Sequence, residues 1–274
     1  MPKIRIKERP IYYFIPALIV LTILAVYPIL NNVSLSLTNK SGAFSLANYQ
    51  RLFKDKWFWN AMLNTGKWAL FTVSMEMVVG MTMAFLMNMR LKGQSLFRSL
   101  LIIPWMTPVI AICAVWKWMY NNDFGILTYA INTAFGTHLT FLSDYNIALY
   151  CLGIIYVWKR APFIMLMYLS GMQSISEDVY EAAELDGCRG FKRLTQITLP
   201  LLFPIIRSLM LISLISSFNQ FTIVHTITGG GPARSTMVIQ NYIYNNGIAA
   251  TAYNVEIERR ESASWITGIT ALQI

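Results

Sequence analysis

The sequence predicts an all-α membrane protein, and three observations support that class. Hydrophobic residues make up 55% of the 274-residue chain, whereas charged residues make up only 13%. Several apolar runs reach the roughly 20 residues that a helix needs to cross a bilayer. The net charge of +9 comes from scattered basic residues, and a nucleic-acid-binding protein gathers them on one soluble face. We therefore expect a protein that contacts membrane lipid and binds no nucleic acid.

Five apolar segments are expected to cross the membrane as helices. The first follows four basic residues, but it is longer than the apolar core of a signal peptide and lacks an A-x-A-like cleavage site, so we expect it to be retained. Pro104 and Pro108 are expected to break the third segment, because proline removes a backbone donor. The predicted spans are 11–30, 65–87, 100–119, 147–169 and 201–226.

Basic residues predict the orientation, since Lys and Arg are enriched in cytoplasmic loops. With the N-terminus inside, the inner segments hold ten basic residues and the outer segments hold five. This predicts a multi-pass protein of the cell (inner or cytoplasmic) membrane with residues 1–10 as a cytoplasmic N-terminus. The inner residues are Lys3, Arg5, Lys7, Arg9, Arg90, Lys92, Arg98, Arg189, Lys192 and Arg193, and the outer ones are Lys40, Arg51, Lys54, Lys56 and Arg234.

The longest polar segment, 174–200, follows the fourth predicted span and is placed in the cytoplasm by the same counting. Ser174 and Glu177 have the spacing of a capping box that opens a helix, and Gly187 suits the end of one. Val179, Ala182 and Ala183 fall at i, i+3 and i+4, which gives the helix a small apolar face. We expect two short helices joined at Gly187, the second ending at Pro200.

This segment also resembles a known motif. Glu181-Ala182-Ala183, Gly187, Ile197 and Leu199-Pro200 match every fixed position of the EAA motif, which is typical of the membrane subunits of binding-protein-dependent ABC importers. The resemblance implies a type I ABC importer transmembrane domain over residues 11–247, with 171–200 as the loop that couples to a cytoplasmic ATPase. The alternative is an ordinary amphipathic loop on the membrane surface.

The same resemblance implies which molecules the chain works with. ATP and Mg²⁺ would be bound by a partner ATPase dimer, so the chain itself is expected to be non-catalytic and to carry no cofactor. Cys113, Cys151 and Cys188 form no close pair and show no metal-ligand spacing, so no metal site is expected.

A second segment, Thr228-Gly229-Gly230-Gly231-Pro232 with Thr236, resembles the TGGGP-x3-T signature of sugar permeases in the maltose and glycerol-3-phosphate importer branch. No Gly-Lys-Ser/Thr follows the glycines, so a tight turn is expected here and a phosphate-binding loop is not. The resemblance implies a carbohydrate substrate, a second related permease subunit and an extracytoplasmic solute-binding protein.

Polar and aromatic residues in the fourth and fifth spans are candidates for the translocation path. Asn219 and Gln220 carry amides suited to sugar hydroxyls, and Tyr156 and Trp158 could offer aromatic faces to a sugar ring. Hydrogen bonds between helices, or packing in the case of the aromatic residues, are the alternatives. Ser213, Ser217 and Gln220 are predicted to share one helix face, at i, i+4 and i+7.

Charged residues inside the predicted spans require partners, because a charge is costly in hydrocarbon. Glu76 lies deep in the second span and is a candidate for a structural ion pair or a tight-packing site. Lys159 and Arg160, in the middle of the fourth span, either meet carboxylates of a partner subunit or face the path. The sequence does not decide between these two possibilities.

The tail, 248–274, departs from the family pattern, in which a sixth span is expected. Five charged residues in a short stretch are incompatible with a lipid-exposed helix, so we expect a truncation or a reading-frame change near residue 248. These residues are Glu256, Glu258, Arg259, Arg260 and Glu261.

A self-contained secondary transporter or channel is the alternative function. It predicts internal repeats or paired intramembrane carboxylates, and Glu76 is the one carboxylate deep in a predicted span.

Overall fold

Helices form nearly all of the secondary structure in the computed structural model, which describes residues 11–39, 42–89 and 93–249. One isolated β-bridge joins Thr38 and Phe44. The expectation of an all-α membrane protein is confirmed. The α-helices are α1 (Ile11–Leu21), α2 (Tyr27–Ser36), α3 (Ala47–Lys54), α4 (Lys56–Asn88), α5 (Gln94–Met106), α6 (Val109–Met119), α7 (Ile126–Phe135), α8 (Ala148–Gln173), α9 (Glu177–Leu185), α10 (Gly190–Arg193), α11 (Leu199–Phe218), α12 (Thr222–Ile227) and α13 (Ile239–Ile243). Three π-helical turns connect some of them, at Thr22–Val26, Leu194–Thr198 and Tyr244–Ala249.

Four helical segments are long and apolar enough to cross a membrane, and a bent pair of helices makes a fifth candidate. These five segments correspond to the five predicted spans, and most extend beyond the predicted bounds. The predicted N-terminal segment 1–10 and most of the predicted tail, from residue 250 onward, lie outside the described residues. The four single segments are Tyr13–Ser36, Lys56–Asn88, Ala148–Gln173 and Gly190–Ile227, and the bent pair is Gln94–Met106 with Val109–Met119.

The third span breaks at one proline, although two were expected to break it. Pro104 lies inside α5 and is buried. Because α5 ends at Met106, the missing Pro104 N–H removes only one hydrogen bond near the end of a short helix. Pro104 therefore does not break α5. The break falls at Thr107, whose backbone is extended, because the ring of Pro108 disfavours a helical residue before it. The two halves are bent by 95°.

The chain divides into two compact units, and the described residues of the first are 11–39, 42–59 and 242–249. Within it, the amide of Asn48 on α3 donates hydrogen bonds to the carbonyls of Ser36 and Thr38, both at 3.1 Å. The hydroxyls of Ser36 and Tyr49 lie 2.9 Å apart. These contacts fix α3 to the end of α2.

Helix α8 is the centre of the second unit, residues 60–241. In the most apolar 18-residue stretch of α8, 61% of the residues are buried, whereas no residue is buried in the corresponding stretch of the first span. Close approach by α4 requires glycine at Gly80, since a Cβ there would lie 2.6 Å from Ile164. The core includes Leu152 and Tyr156 towards one end of α8, and Met165 and Tyr168 towards the other.

The fifth span extends to Ile227, close to its predicted end, but it contains a break that was not predicted. Helix α11 stops at Phe218, Asn219 leaves helical geometry, and α12 starts at Thr222. The expectation that one helix carries Ser213, Ser217 and Gln220 is therefore wrong, because the helix is interrupted at 219–221. Because the helix stops, Gln220 cannot continue the face that Ser213 and Ser217 share, and the predicted i, i+4, i+7 stripe does not form.

Candidate functional site

The end of α9 is built as the sequence predicts. Gly187 has a φ of +76°, in the left-handed region that favours glycine. Its N–H donates to the Glu184 carbonyl at 3.1 Å, and the Cys188 N–H donates to the Ala183 carbonyl at 2.8 Å. These two bonds are those of a Schellman motif. A Cβ at Gly187 would meet nothing within 4 Å, so the position requires glycine for its backbone conformation rather than for space.

The start of α9 differs from the prediction. Ser174 has a helical backbone and closes α8, and its hydroxyl donates to the Gly171 carbonyl at 2.8 Å. The residue that precedes α9 is Ser176, whose extended backbone suits an N-cap, although its side chain makes no capping hydrogen bond. The predicted capping box of Ser174 and Glu177 is therefore wrong, because an N-cap residue must be non-helical.

The second half of the coupling loop is continuous with the fifth span. Helix α10 passes through the π-helical turn Leu194–Thr198 directly into α11, so the predicted separate short helix ending at Pro200 is wrong. The Leu199 N–H donates to the Leu194 carbonyl five residues back. This widened turn precedes Pro200, which stands in the first turn of α11, where its missing N–H is tolerated. Ile197 and Leu199 are half-buried, and Pro200 is exposed.

Side chains tie the two halves of the coupling loop together. The Arg193 guanidinium lies 5.3 Å from the ring centroid of Tyr180, which is cation–π distance. The hydroxyls of Tyr180 and Thr198 lie 3.5 Å apart. The Cys188 thiol donates to the Gln196 side-chain oxygen at 3.4 Å. Helix α9 is thus held against the start of the fifth span.

The outer surface of the loop combines apolar and acidic side chains. Ala183 is buried, whereas Glu181 and Ala182 are exposed. Val179, Leu185 and Phe191 are 39%, 90% and 78% exposed. Exposed large apolar residues on a short protruding loop suit contact with a partner protein. Beside them lies a cavity of about 600 Å³, lined by Glu177, Tyr180, Glu181, Glu184, Arg193, Phe85, Asn88, Met89, Met172, Leu194 and Thr198.

Lys159 has its partners inside this chain. Its ammonium donates to the main-chain carbonyls of Pro104, Trp105 and Thr107, at 3.5, 3.2 and 2.7 Å. These carbonyls stand at the break between α5 and α6. The alternatives predicted from the sequence, a partner-subunit carboxylate or the path, did not include these main-chain oxygens.

Arg160, the next residue, pairs with Glu76. Its Nε donates to Oε2 of Glu76 at 3.3 Å, and the Glu76 side chain is fully buried. The guanidinium also lies 5.8 Å from the Tyr156 ring centroid and 5.6 Å from that of Phe163. The expectation of a structural ion pair at Glu76 is confirmed. We call Lys159, Arg160 and their partners the mid-span junction.

The candidate path residues separate into buried and accessible groups. Ser213 and Ser217 are buried, and the Ser217 hydroxyl lies 2.9 Å from that of Thr72 on α4. Asn219 is exposed, and its side-chain oxygen accepts a hydrogen bond from Gln240 at 3.2 Å. Gln220 stands in the same break between α11 and α12.

The two aromatic candidates also differ. Tyr156 is 3% exposed and packs against Trp68, with ring centroids 5.5 Å apart. Trp158 is 44% exposed and meets Trp116 edge to face, with centroids at 5.5 Å. In this conformation Trp158 presents a surface, whereas Tyr156 belongs to the core.

The glycine-rich segment forms the expected tight turn. The hydroxyls of Thr228 and Thr236 lie 2.8 Å apart, and that of Thr236 also donates to the Gly231 carbonyl at 2.6 Å. The Asn64 amide donates to the carbonyls of Arg234 and Met237 at 3.3 and 3.1 Å. The function of Thr72 in helix packing was not predicted from the sequence. Its i, i+4 spacing to Glu76, which matches that of Ser213 and Ser217, is the signal that could have found it.

Comparison with known protein families shows that the chain is a membrane component of a transport system. The chain belongs to the family described as "Binding-protein-dependent transport system inner membrane component", which matches residues 76–272. The match therefore continues through most of the predicted atypical tail, which itself lies largely outside the described residues.

Several known proteins are similar over most of their length. The chain is 31% identical over 251 residues to the trehalose/maltose transport system permease protein MalF of Thermococcus litoralis, covering 89% of this chain and 85% of that protein. It is 32% identical over 241 residues to the sulfoquinovosyl glycerol transport system permease protein SmoG of Agrobacterium fabrum, covering 85% and 78%.

A solved structure shares the fold. A chain of a bacterial alginate ABC transporter, crystallised in complex with an alginate pentasaccharide-bound periplasmic protein, superposes with a TM-score of 0.80 at 20% identity. The match covers 96% of this chain and 90% of that chain. The fold is that of a type I ABC transporter membrane domain.

Proposed function

We propose that this chain is the permease subunit of an ATP-driven carbohydrate importer, and that the loop 171–200 couples it to a cytoplasmic ATPase dimer. The observation that carries the proposal is α9, a short helix that is held through Tyr180 and Cys188 and exposes Val179, Ala182 and Leu185. A small apolar face beside Glu181 suits a helix-in-groove contact with another protein. The carbohydrate substrate is supported by the printed names of the two relatives, a trehalose/maltose permease and a sulfoquinovosyl glycerol permease.

The geometry gives the coupling loop a direct mechanical route into the membrane. Helix α8 ends at Gln173 and α9 begins at Glu177, while the Tyr180 contacts hold α9 to the base of α11. A push on α9 therefore acts on two spans together. ATP and Mg²⁺ are bound by the ATPase subunits, and the chain contributes no cofactor and no catalytic group.

The path is proposed to pass the break between α11 and α12. Asn219 and Gln220 place two amides there, and amides both donate to and accept from sugar hydroxyls. The exposed face of Trp158 offers an apolar surface to a sugar ring. Buried Ser213 and Ser217 sit on the helix that carries this break.

The remaining partners follow from the family. A second related permease would complete the membrane domain, and an extracytoplasmic solute-binding protein would deliver the sugar. With the N-terminus in the cytoplasm, the coupling loop faces the compartment that contains ATP.

One observation argues against a self-contained secondary transporter. In such transporters, unwound carbonyls at broken helices coordinate a mobile cation. Here the carbonyls at the break between α5 and α6 bind the Lys159 ammonium. A tethered cation cannot cross the membrane and so cannot supply coupling energy.

Site-specific photo-crosslinking tests the docking proposal. A photoreactive residue is placed at Ala182 in cells that express the whole importer, and adducts are identified by mass spectrometry and by labelling with a photoreactive ATP analogue. We expect an adduct with an ATP-binding protein at Ala182. The matched control is Leu211, which is 62% exposed on α11 and is expected to give none. If Ala182 captures no nucleotide hydrolase, and the same residue placed at Val179 and at Leu185 captures none either, the proposal is overturned.

A further inference from the structure

The break in the third span leaves backbone carbonyls that need donors. Pro108 has no N–H, so the carbonyl of Pro104 has no donor four residues ahead of it. The carbonyls of Trp105 and Thr107 lie in the same turn, where the last carbonyls of a helix lack intrahelical partners. Inside a bilayer no water is available to satisfy them.

The ammonium of Lys159 supplies these donors. A lysine ammonium has three N–H groups, and Lys159 Nζ lies 3.5, 3.2 and 2.7 Å from the carbonyl oxygens of Pro104, Trp105 and Thr107. The C-terminal end of a helix also carries partial negative charge, which favours a cation there. The number of donors, their placement and the sign of the charge all fit the end of α5.

Aromatic contacts on either side of Lys159 join both halves of the broken span to α8. Trp158 meets Trp116 of α6 with ring centroids at 5.5 Å. Phe163 meets Trp105 of α5 at 5.7 Å. Within one and a half turns, α8 therefore contacts α6, the break and α5.

We propose that Lys159 is a positioning residue that latches the broken span to α8, so that α5 and α6 follow α8 when the coupling loop moves. About 21 Å of helix separates Lys159 from the end of α8 at Gln173, at ~1.5 Å per residue. Helix α9 begins at Glu177, so the latch sits on the helix that leads into the coupling loop. That the coupling loop is the source of movement rests on the proposed function. That Lys159 holds the broken span to α8 does not.

A spectroscopic measurement on the purified chain tests the latch without any partner. Spin labels are placed at Val115 on α6 and Ile154 on α8, which are 55% and 46% exposed, in a chain whose three cysteines are replaced by alanine. Pulsed electron paramagnetic resonance then gives the distance distribution. We expect Lys159→Met to widen this distribution at least twofold. Lys117→Met, which removes an exposed lysine from α6, should leave it unchanged. An unchanged distribution in Lys159→Met would overturn the proposal.

A transport measurement on the whole reconstituted importer tests the consequence. We expect Lys159→Met to reduce sugar uptake per ATP hydrolysed at least tenfold, with ATP hydrolysis within threefold of the parent. A merely structural lysine would lower uptake and hydrolysis in proportion through loss of assembled complex, and that result would overturn the latch. A parent complex that shows no ATP-driven uptake would contradict the proposed function instead, and the distance measurement would still decide the latch.

Lys159→Arg keeps the experiment decisive if the methionine variant fails to fold. Arginine retains the positive charge, but its planar guanidinium cannot direct three N–H groups at three converging carbonyls. We expect the Arg variant to fold, to widen the distance distribution and to lower the uptake per ATP at least threefold. Parent-like values for both would show that positive charge alone is needed and would overturn the latch.

Discussion

The coupling loop and the mid-span junction use charged residues in opposite ways. In the loop, Arg189 and Glu184 form an ion pair at 3.0 Å with side chains 76% and 50% exposed. In the junction, Arg160 and Glu76 pair at 3.3 Å with side chains 21% and 0% exposed. An exposed pair contributes little to stability, whereas a buried charge left without its partner is strongly destabilising.

This difference separates two kinds of requirement. The loop depends on a backbone conformation at Gly187 and on the surface that α9 exposes. The junction depends on partners that compensate charge inside the membrane. Changes in the loop should therefore affect transport while the fold is kept, and changes at Arg160 should affect the fold itself.

Removing the Arg160 side chain should have the largest effect on stability. Arg160→Met leaves the buried Glu76 carboxylate without its ion-pair partner, which is expected to lower the free energy of unfolding by ~3–5 kcal/mol. Unfolding of the purified chain in mixed detergent micelles, followed by circular dichroism, measures the loss. Arg189→Met is the matched control, and its expected loss is under ~1 kcal/mol.

A double substitution sharpens this test. Replacing Glu76 and Arg160 together by methionine removes both charges, so it should recover much of the stability that Arg160→Met loses. In the part of the chain that the structure describes, Glu76 Oε1 and Arg160 Nη2 are buried without a hydrogen-bond partner, so the pair uses only part of its bonding capacity. A double variant less stable than both single variants would contradict this account, as would equal losses in Arg160→Met and Arg189→Met.

A change at Gly187 should affect transport with little effect on global stability. Alanine in the left-handed conformation costs ~1–2 kcal/mol, and this strain falls on the end of α9. We expect Gly187→Ala to lower ATP-driven uptake at least tenfold in membrane vesicles, and Gly187→Asp to abolish it, while the free energy of unfolding of the Gly187→Ala chain falls by no more than those ~1–2 kcal/mol.

Gly66 supplies the control for this substitution. It lies inside α4 with ordinary backbone geometry, and a Cβ there would meet nothing within 4 Å. Gly66→Ala should leave uptake at the parent level. Normal uptake by Gly187→Asp would contradict the proposal that the loop couples the chain to an ATPase. A large loss of global stability in Gly187→Ala would contradict the stated difference between the loop and the mid-span junction.

The features that the sequence predicted correctly are local along the chain. The end of α9 depends on residues 183–188, so a glycine at the right spacing was sufficient to predict it. The spans depend on runs of apolar residues, and their existence was predicted in every case. The π-helical turn before Pro200 was not predicted, because nothing in the spacing of Ile197 and Leu199 distinguishes it from a helix end.

The junction could not be predicted because its partners are distant in the sequence. Lys159 bonds to carbonyls of residues 104–107, and Arg160 pairs with a residue 84 positions away. Backbone carbonyls carry no side-chain signal, so the sequence indicated a partner-subunit carboxylate or the path for Lys159 and gave no sign of these main-chain oxygens. The break at 219–221 was hidden for a similar reason, since polar residues in a span fit a helix face as well as a helix end.

The start of α9 provides the smallest expected effect. Had Ser174 been the N-cap, Ser174→Ala would remove a capping bond and destabilise α9 by ~1 kcal/mol. In the structure its hydroxyl donates to the carbonyl of buried Gly171 near the end of α8. We therefore expect Ser174→Ala to lower the free energy of unfolding by only ~0.5 kcal/mol, the low end for a hydrogen bond, because the Ser174 side chain itself is exposed.

The matched variant is Ser176→Ala, at the residue that does precede α9 and makes no side-chain capping bond. Both variants should transport sugar at the parent rate, measured as ATP-driven uptake in the same vesicles as the Gly187 variants. A selective loss of uptake in Ser174→Ala would mean that Ser174 does hold α9 during transport. The coupling loop would then depend on a side-chain cap as well as on the Gly187 conformation, and its contrast with the partner-dependent junction would weaken.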